Sequence, residues 1–129
     1  MTSYLDTSAA MKLLVEEVES AALTTYLQSE EISDVVASWL LHTELHCAAN
    51  RHPDDIDLAA VGVVLDTITL VDLTRGDLRT AGALPGRLRS NDAVHLAVAL
   101  RVGVDEMITC DSELGVAASA SGLAVVRPA

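Results

Sequence analysis

Short runs of apolar and β-branched residues alternate along the chain with longer segments whose apolar residues recur at helical spacing. The short runs are predicted to be five strands, at residues 4–6, 34–37, 67–73, 107–110 and 123–126. The longer segments are predicted to be helices, at residues 7–27, 39–50, 56–65, a short stretch ending near 83, 91–102 and 112–121. Strands that alternate with helices are typical of right-handed βαβ units. The pattern therefore predicts an α/β fold around a mostly parallel sheet.

The chain has 129 residues and no linker between its predicted elements, so we expect one domain spanning residues 1–129. Half of the residues are hydrophobic, but there is no Phe, one Trp and two Tyr. The core is therefore expected to consist of Leu, Val, Ala and Ile. Cys47 and Cys110 show neither metal-ligand spacing nor a disulfide framework, and we expect both to be buried and reduced.

Nothing in the sequence suggests a membrane segment. The N-terminal residues lack a basic segment, and Lys12 and Glu16 interrupt their apolar stretch, which argues against a secretory signal. The longest uncharged run, at residues 114–126, is shorter than the ~20 apolar residues that a membrane-spanning helix needs. We therefore expect a soluble cytoplasmic protein with no membrane partner.

Acidic residues outnumber basic residues by 19 to 8, which gives a formal net charge of −11. Taken alone, this charge argues against a protein that coats nucleic acid or an anionic membrane through a broad positive surface. The charge leaves open where the acidic side chains lie, and their positions change the picture.

Two acidic residues, Asp6 and Asp111, end the first and fourth predicted strands. In an open parallel sheet, ligands bind outside the carboxyl ends of the strands. An aspartate at such a junction is also a common helix cap, and for each residue alone the two interpretations carry equal weight. Because Thr7, Ser8 and Ser112 are available as caps, the pair favours a functional role.

Two further acidic residues lie on apolar helices. Asp92 is in the first turn of the predicted helix at 91–102, where the helix N-terminus stabilises a carboxylate. Glu44 shares an inward-looking face of its helix with residues such as Leu41, and a carboxylate on that face needs a partner. A basic partner is not expected, because Lys12 is the only lysine and the arginines mostly lie far away in sequence.

Four clustered carboxylates would repel one another by roughly 4 kcal/mol per close pair in an effective dielectric near 20. Such a cluster would take up protons or bind a cation. Oxygen ligands without Cys or His select a hard ion, Mg²⁺ or Mn²⁺. The chemistry that this predicts is metal-assisted attack of water on a phosphodiester.

Four segments of the chain resemble, in order and spacing, the four acidic motifs of PIN-domain ribonucleases, and more narrowly those of the toxins of VapBC-type toxin-antitoxin pairs. These segments are Leu5–Ala9 (LDTSA), Glu44, Ser90–Ala97 (SNDAVHLA) and Thr109–Asp111 (TCD). The resemblance extends from Ser3 to Pro128. It implies a three-layer PIN-like fold, with helices on both faces of a five-stranded, mostly parallel sheet. It also implies RNA cleavage with Mg²⁺ (or Mn²⁺).

The resemblance assigns the catalytic and metal-binding roles to Asp6, Glu44, Asp92 and Asp111. It places the Ser8 hydroxyl near the site, and we take Thr109 as a further residue lining it. Glu113 could be an additional acid, although a helix-start acid is the favoured interpretation. The implied partners are RNA and a VapB-type antitoxin that silences a homodimer in a heterotetramer or larger complex. The RNA target is not predicted.

Half of the basic residues fall within 15 positions just before Asp92. They are Arg75, Arg79, Arg87 and Arg89. An ordinary solvated helix and loop explains them as well as contact with RNA phosphates does. The second interpretation has a clear logic, because a protein of this net charge needs local positive charge to hold a polyanion.

The histidines of this chain do not predict a zinc site. His42 and His46 flank Glu44 but lie about 160° from it around the helix, so the three cannot converge on one ion, and we expect surface or interface histidines. His95 lies one turn after Asp92 and is expected to be hydrogen-bonded and partly buried near the site.

Two other functions remain open. An acidic phospho-receiver would use Asp72 at the end of the third strand, but it would need a second acid beside Asp6 and a lysine late in the chain, and neither is present. A PIN-fold protein without turnover could act only as a binding partner. The intact set of four acids argues against that alternative.

Overall fold

The computed structural model describes all 129 residues, and its elements confirm the predicted α/β class. The strands are β1 Thr2–Leu5, β2 Asp34–Ser38, β3 Thr69–Val71, β4 Glu106–Ile108 and β5 Ala124–Val126. The helices are α1 Thr7–Ala10, α2 Ser20–Leu27, α3 Trp39–Arg51, α4 Leu58–Asp66, α5 Arg75–Ala83, α6 Ser90–Val102 and α7 Ser112–Ala120. A 3₁₀ turn, Met11–Leu13, follows α1.

All five strands are parallel and lie in the order β3-β2-β1-β4-β5. The chain moves outward from β1 to β2 and β3, then returns across the sheet to β4 and β5. Right-handed crossovers that run in opposite directions place helices on both faces of the sheet. The order reverses between β1 and β4, and such a switch point opens a crevice at the carboxyl ends of the two strands.

The core is aliphatic, as the composition predicts. Its largest fully buried side chains include Leu5, Leu41, Leu96, Met107 and Ile108, together with Tyr4. Helix α6 is buried from Ala93 to Ala99 without a break, which is typical of a helix packed on all sides. It ends at Gly103, which adopts φ 76°, a left-handed conformation that glycine adopts without steric cost.

The single helix expected at residues 7–27 is wrong, because the chain leaves helical geometry after Leu13 and starts again at Ser20. Polar side chains hold the intervening turn. Lys12 pairs with Glu17 and Glu19, and the Ser20 hydroxyl accepts a hydrogen bond from the Glu17 amide and donates one to the Val15 carbonyl. Such bonds compete with the helical ladder. Val18, which lies in this turn, is 86% exposed as a result.

Two smaller expectations also need correction. Cys47 is exposed rather than buried, and Cys110 is only partly buried. The third strand is shorter than predicted, since Thr67 and Ile68 close the last turn of α4 through bonds to Val64 and Leu65. No helix combines the length and apolar character needed to cross a bilayer.

An ion pair between a buried aspartate and an exposed arginine joins α5 to α6. The Asp77 carboxylate is 2% exposed and accepts hydrogen bonds from Arg101 Nε at 2.7 Å and Nη2 at 3.0 Å. It also accepts the Thr74 amide in a capping box at the start of α5. The bond from Arg101 is the main reason that the pKa of Asp77 lies below its ordinary value.

Replacing Arg101 with glutamine is expected to lower the free energy of unfolding at neutral pH, because a buried carboxylate loses its charged donor. A carboxyl whose pKa is lowered by folding stabilises the protein above its unfolded pKa near ~4, and this contribution is lost as pH falls through the folded pKa. Urea unfolding should therefore show a smaller deficit at about pH 3. The control is Arg79→Gln, an exposed and unpaired arginine on α5; equal deficits at both pH values would contradict the assignment.

Candidate active site

The candidate site lies at the switch point of the sheet, where β1 and β4 end side by side. Leu5 pairs with Ile108 in the register, and the Asp6 amide donates to the Ile108 carbonyl at 3.2 Å. This pairing brings the chain leading to Asp111 next to Asp6, although the two residues are distant in sequence. Both strand ends that the sequence analysis singled out therefore lie at the same edge of the sheet.

Asp6 is buried, and four hydrogen bonds fix its carboxylate. Oδ1 accepts the Ala9 amide at 2.9 Å, Oδ2 accepts the Thr109 hydroxyl at 2.7 Å, and the Ser8 hydroxyl lies within 2.9 Å of both oxygens. Burial raises the pKa of Asp6 above its ordinary value, although the bonds from Ala9, Thr109 and Ser8 act to lower it. The carboxylate is therefore rigid, and it carries no compensating basic side chain.

Ser8 and Thr109, expected to line the site, both contact Asp6 and connect the two strand ends. The Ser8 hydroxyl accepts the Cys110 amide, and the Thr109 hydroxyl accepts the Asp111 amide, both at 3.0 Å. The two hydroxyl oxygens lie 3.2 Å apart. These residues hold the loop after β4 against the loop after β1.

Asp6 and Asp111 themselves cap helices, although Thr7, Ser8 and Ser112 were expected to do so. Asp6 caps α1 through Ala9, and Asp111 caps α7 by accepting the Leu114 amide at 3.0 Å. Each aspartate reaches the third amide of its helix, whereas the Ser8 hydroxyl turns toward Asp6. Capping uses only Oδ1 of Asp111 and leaves its Oδ2 without a hydrogen bond.

Asp92 lies on the first turn of α6, and neither of its oxygens has a hydrogen-bond or ion-pair partner. Burial, followed by the negative charges of Asp111, Asp6 and Glu44, raises the pKa of Asp92 to about 6, against the influence of His95. These interactions identify the four predicted acids as one electrostatic cluster around Asp92. Asp92 is its least compensated member.

Glu44, on the inward face of α3, has protein partners that the sequence argument did not foresee. Oε1 accepts the Thr7 hydroxyl at 2.8 Å and lies 2.6 Å from His95 Nε2, and Oε2 accepts the Asn91 side-chain amide at 2.9 Å. Burial acts to raise the pKa of Glu44, but these three donors outweigh it and hold the pKa below its ordinary value. Glu44 is therefore ionised without a cation, which corrects the expectation that no basic side chain pairs with it.

A buried relay leads from the core to Glu44. The Tyr4 hydroxyl accepts the Ser38 amide at 3.0 Å and lies 2.7 Å from His95 Nδ1. Burial keeps the pKa of Tyr4 well above its ordinary value, so the phenol stays protonated and donates a hydrogen bond to Nδ1. The proton of a neutral His95 then belongs on Nε2, facing Glu44. His95 is hydrogen-bonded as predicted, but it is completely buried rather than partly buried.

Sequence reasoning missed three residues that shape this site. Thr7 and Asn91 directly adjoin Asp6 and Asp92, so their positions inside the acidic motifs are a usable signal. Tyr4 offers none, because an apolar strand residue and a relay residue look alike in a sequence. Glu113, considered above as an additional acid, is exposed on the first turn of α7 and makes no hydrogen bond to the other acids, which agrees with a helix-start role.

The residues fit a divalent cation by charge and donor type rather than by a preformed cage. No three His, Cys, Asp or Glu side chains are grouped closely enough to hold a metal ion as they stand. However, Asp92 and Asp111 present free carboxylate oxygens beside the rigid Asp6, and no lysine or arginine pairs with any of them. An all-oxygen donor set of this kind suits Mg²⁺ or Mn²⁺.

The four arginines before Asp92 are all exposed and unpaired, but they occupy different places. Arg89 directly precedes α6, and Arg87 lines an apolar groove of about 420 Å³ beside Ser112 and Glu113. Arg75 and Arg79 lie on α5 instead. Arg87 and Arg89 are therefore the pair that flanks the acidic cluster.

The histidines of α3 are separate from the acids, as predicted. The rings of His42 and His46 lie 4.2 Å apart, and His42 also packs against Trp39, with ring centroids separated by 5.2 Å. Both side chains are partly exposed, and no third ligand accompanies them.

Comparison with known proteins identifies the family of this chain. A family profile described as PIN domain matches residues 3–119. Ribonuclease VapC46 of Mycobacterium tuberculosis (strain ATCC 25618 / H37Rv) is 37% identical over 131 residues, covering 97% of this chain and 96% of the relative. Ribonuclease VapC35 of the same species (strain CDC 1551 / Oshkosh) is 38% identical over 130 residues with equal coverage of 97% and 96%.

Solved structures resemble the fold at low sequence identity. A chain of VapBC2 from Rickettsia felis, bound to a DNA fragment from its promoter, has a TM-score of 0.78 at 11% identity and is covered completely, as is this chain. VapC20 of Mycobacterium tuberculosis, a Sarcin-Ricin loop cleaving toxin, has a TM-score of 0.72 at 18% identity, covering 98% of this chain and 99% of that one. These similarities establish the architecture.

Proposed function

This chain belongs to the PIN-domain family, and from that membership we propose that it is an endoribonuclease acting as the toxin of a type II toxin-antitoxin pair. The observation that carries the proposal is the electrostatic cluster of Asp6, Glu44, Asp92 and Asp111 at the switch point of the sheet. The two similar proteins named as ribonucleases add independent support for RNA as the substrate. Membership of this family excludes the phospho-receiver alternative.

We propose that the enzyme depends on Mg²⁺ or Mn²⁺, held by Asp6, Asp92 and Asp111, with Glu44 acting directly or through water. When bound, such an ion neutralises charge on the phosphate and lowers the pKa of bound water. Asp6 contributes an orientation fixed by Ala9 and Thr109. Glu44 contributes a negative charge whose two oxygens are already held by donors.

Residues of the site would also orient the RNA substrate. Asp92 and Asp111 have free oxygens, one residue at the start of α6 and the other at the start of α7. Water attack on phosphorus, with cleavage of the bond to the 3′ oxygen and transfer of a proton to it, would leave a 5′-phosphate and a 3′-hydroxyl. We propose Arg87 and Arg89 as contacts to RNA phosphates, and no direct contact for Arg75 or Arg79.

The proposed partner is a VapB-type antitoxin bound to a homodimer of this chain in a heterotetramer or larger complex, acting in the cytoplasm, where its RNA substrate lies. The Rickettsia felis structure is a VapBC complex, and another similar chain, with a TM-score of 0.70, comes from a toxin-antitoxin complex of Klebsiella pneumoniae. Trp39, 45% exposed at the start of α3, is a candidate for apolar contacts. Co-purification with a small protein encoded by the adjacent gene tests this assignment.

Chelation of divalent metal is expected to slow RNA cleavage at least about a hundredfold, because metal charge stabilisation is worth several kcal/mol. The measurement is the rate of cleavage of total cellular RNA by purified protein in EDTA, and again after Mg²⁺ or Mn²⁺ is restored. Mapping of 5′ ends after induction in cells then identifies the cleaved RNA. Undiminished cleavage in EDTA would contradict the metal-dependent mechanism, and no cleavage under any condition would favour a PIN-fold binding partner.

A further inference from the structure

A groove lined by both polar and apolar side chains runs along α3 away from the acidic cluster. It encloses about 570 Å³, and its polar lining consists of Thr7, Thr43, Glu44, Arg51, His52 and Asn91. We call it the α3 groove. Three of these residues, Thr7, Glu44 and Asn91, also belong to the hydrogen-bond network of the candidate active site. The groove is therefore continuous with that site.

The spacing of residues on α3 sets the direction of the groove. Glu44, Cys47, Ala48 and Arg51 follow one another at i, i+3, i+4 and i+7, so they form one stripe of the helix. Small side chains occupy the middle of this stripe and leave space above it. Arg51 lies about 10 Å beyond Glu44 along the helix axis. At that distance it would not contact a phosphate group bound next to Glu44.

The two charged side chains of the groove differ in how they are held. Its one carboxylate, Glu44, accepts hydrogen bonds from Thr7 and Asn91 and lies against His95. Arg51 is exposed and forms no hydrogen bond or ion pair, not even with the last carbonyls of α3, and His52 lies beside it. An unpaired guanidinium at the end of the groove is a local site for an anion.

We propose that the α3 groove binds the RNA strand next to the cleavage site, with Arg51 contacting a flanking backbone phosphate and His52 assisting it. This inference rests on the proposed ribonuclease function. A guanidinium binds phosphate through paired hydrogen bonds, and positioning of RNA through its backbone needs no aromatic platform. An acidic peptide is the alternative occupant, but Thr7, Glu44 and Asn91 make the groove continuous with the proposed cleavage site, which favours the RNA strand.

The test compares three variants with the parent, using a fluorescein-labelled single-stranded RNA dodecamer. Binding is measured in EDTA over a range of salt concentrations, and cleavage of the same RNA is measured with Mg²⁺. Arg51→Gln is expected to raise Kd and KM about fivefold and to reduce the slope of log K against log salt by about 0.7, the value for one phosphate contact on a single strand. The kcat should stay within about twofold, because Arg51 lies beyond the reacting phosphate.

Two variants act as controls. Arg51→Lys keeps the charge and should retain most of the salt slope. Arg79→Gln removes the same charge from α5, outside the groove, and should leave Kd and slope nearly unchanged. Because both arginines are exposed, equal urea midpoints should show that the variants fold alike.

Several results would overturn the inference. Parental Kd and slope in Arg51→Gln, or an equal effect of Arg79→Gln, would show that the groove makes no specific phosphate contact. Inhibition by poly-L-glutamate that depends on Arg51, with RNA affinity unchanged, would assign the groove to an acidic polypeptide. If the parent cleaves RNA while Arg51→Gln behaves like it, only the groove assignment fails. If the parent neither binds nor cleaves the RNA, the ribonuclease function fails with it.

Discussion

Asp92→Asn is expected to abolish RNA cleavage, with a loss of at least about a thousandfold in kcat, while leaving the protein at least as stable as the parent. The activity is lost because the variant removes the carboxylate charge at the centre of the acidic cluster. The stability is kept because neither oxygen of Asp92 has a hydrogen-bond partner, so asparagine breaks no bond. Asp6 is a poorer choice for this test. Both of its oxygens accept hydrogen bonds, and the amide group of an asparagine would point its own hydrogens at one of the donors.

The stability of Asp92→Asn should also depend on pH in a defined way. Folding raises the pKa of Asp92 to about 6, so the folded protein loses stability relative to the unfolded chain as pH rises from about 4 to about 6. In EDTA, the variant should therefore gain stability over the parent across this range and keep the gain at higher pH. Mg²⁺ should raise the melting temperature of the parent more than that of the variant.

Asp72→Asn is the matched control, because it makes the same change at an exposed residue after β3, outside the cluster. It should leave cleavage, pH dependence and the response to Mg²⁺ unchanged. Parental cleavage by Asp92→Asn would remove Asp92 from the catalytic set. A variant that is less stable than the parent in EDTA at neutral pH would show that Asp92 is compensated by contacts absent from this structure.

Tyr4→Phe is expected to lower the free energy of unfolding by about 2 to 4 kcal/mol and to reduce kcat about 10- to 100-fold. The loss of one hydroxyl leaves the Ser38 amide and His95 Nδ1 without partners, and both residues are completely buried. His95 then no longer has a fixed proton position facing Glu44. Urea unfolding measures the loss of stability, and cleavage kinetics measure the loss of kcat. Calorimetric titration with Mg²⁺ measures the affinity for the metal.

Tyr26→Phe makes the same chemical change at the other tyrosine. The Tyr26 hydroxyl lies within hydrogen-bond distance of both oxygens of Glu106, which is buried in β4 and also accepts the Ser3 hydroxyl. Its removal should reduce stability but leave kcat and Mg²⁺ affinity near parental values. If both variants lower kcat equally at temperatures well below their melting points, the relay from Tyr4 has no specific role in positioning Glu44.

The fold was predictable because each strand and helix has its own local signal and the right-handed crossover rule limits how they combine. Asp6 and Asp111 could be predicted as site residues for the same reason, because the ends of strands can be located from the apolar runs in the sequence. The residues that support them were not. Tyr4 and His95 are 91 positions apart, and nothing in either local pattern specifies their hydrogen bond.

The errors have the same physical origin. The break between α1 and α2 depends on Lys12 reaching Glu17 and Glu19, which propensity over a window does not register. Cys47 shares a helix face with Glu44, but helical angles do not show how wide the buried stripe is. The buried stripe ends at the α3 groove. Cys47, which was expected in the core, therefore lines this groove instead.

The strand order has a consequence for the timing of synthesis. Asp6 is among the first residues made, yet its bond to Thr109 joins positions 103 apart, and Asp92 and Asp111 also come late in the chain. A nascent chain that lacks β4 therefore has no assembled acidic cluster, and contacts between such distant positions form slowly even afterwards. Under the proposed ribonuclease function, RNA near the translating ribosome is therefore exposed to cleavage only after most of the chain has been made.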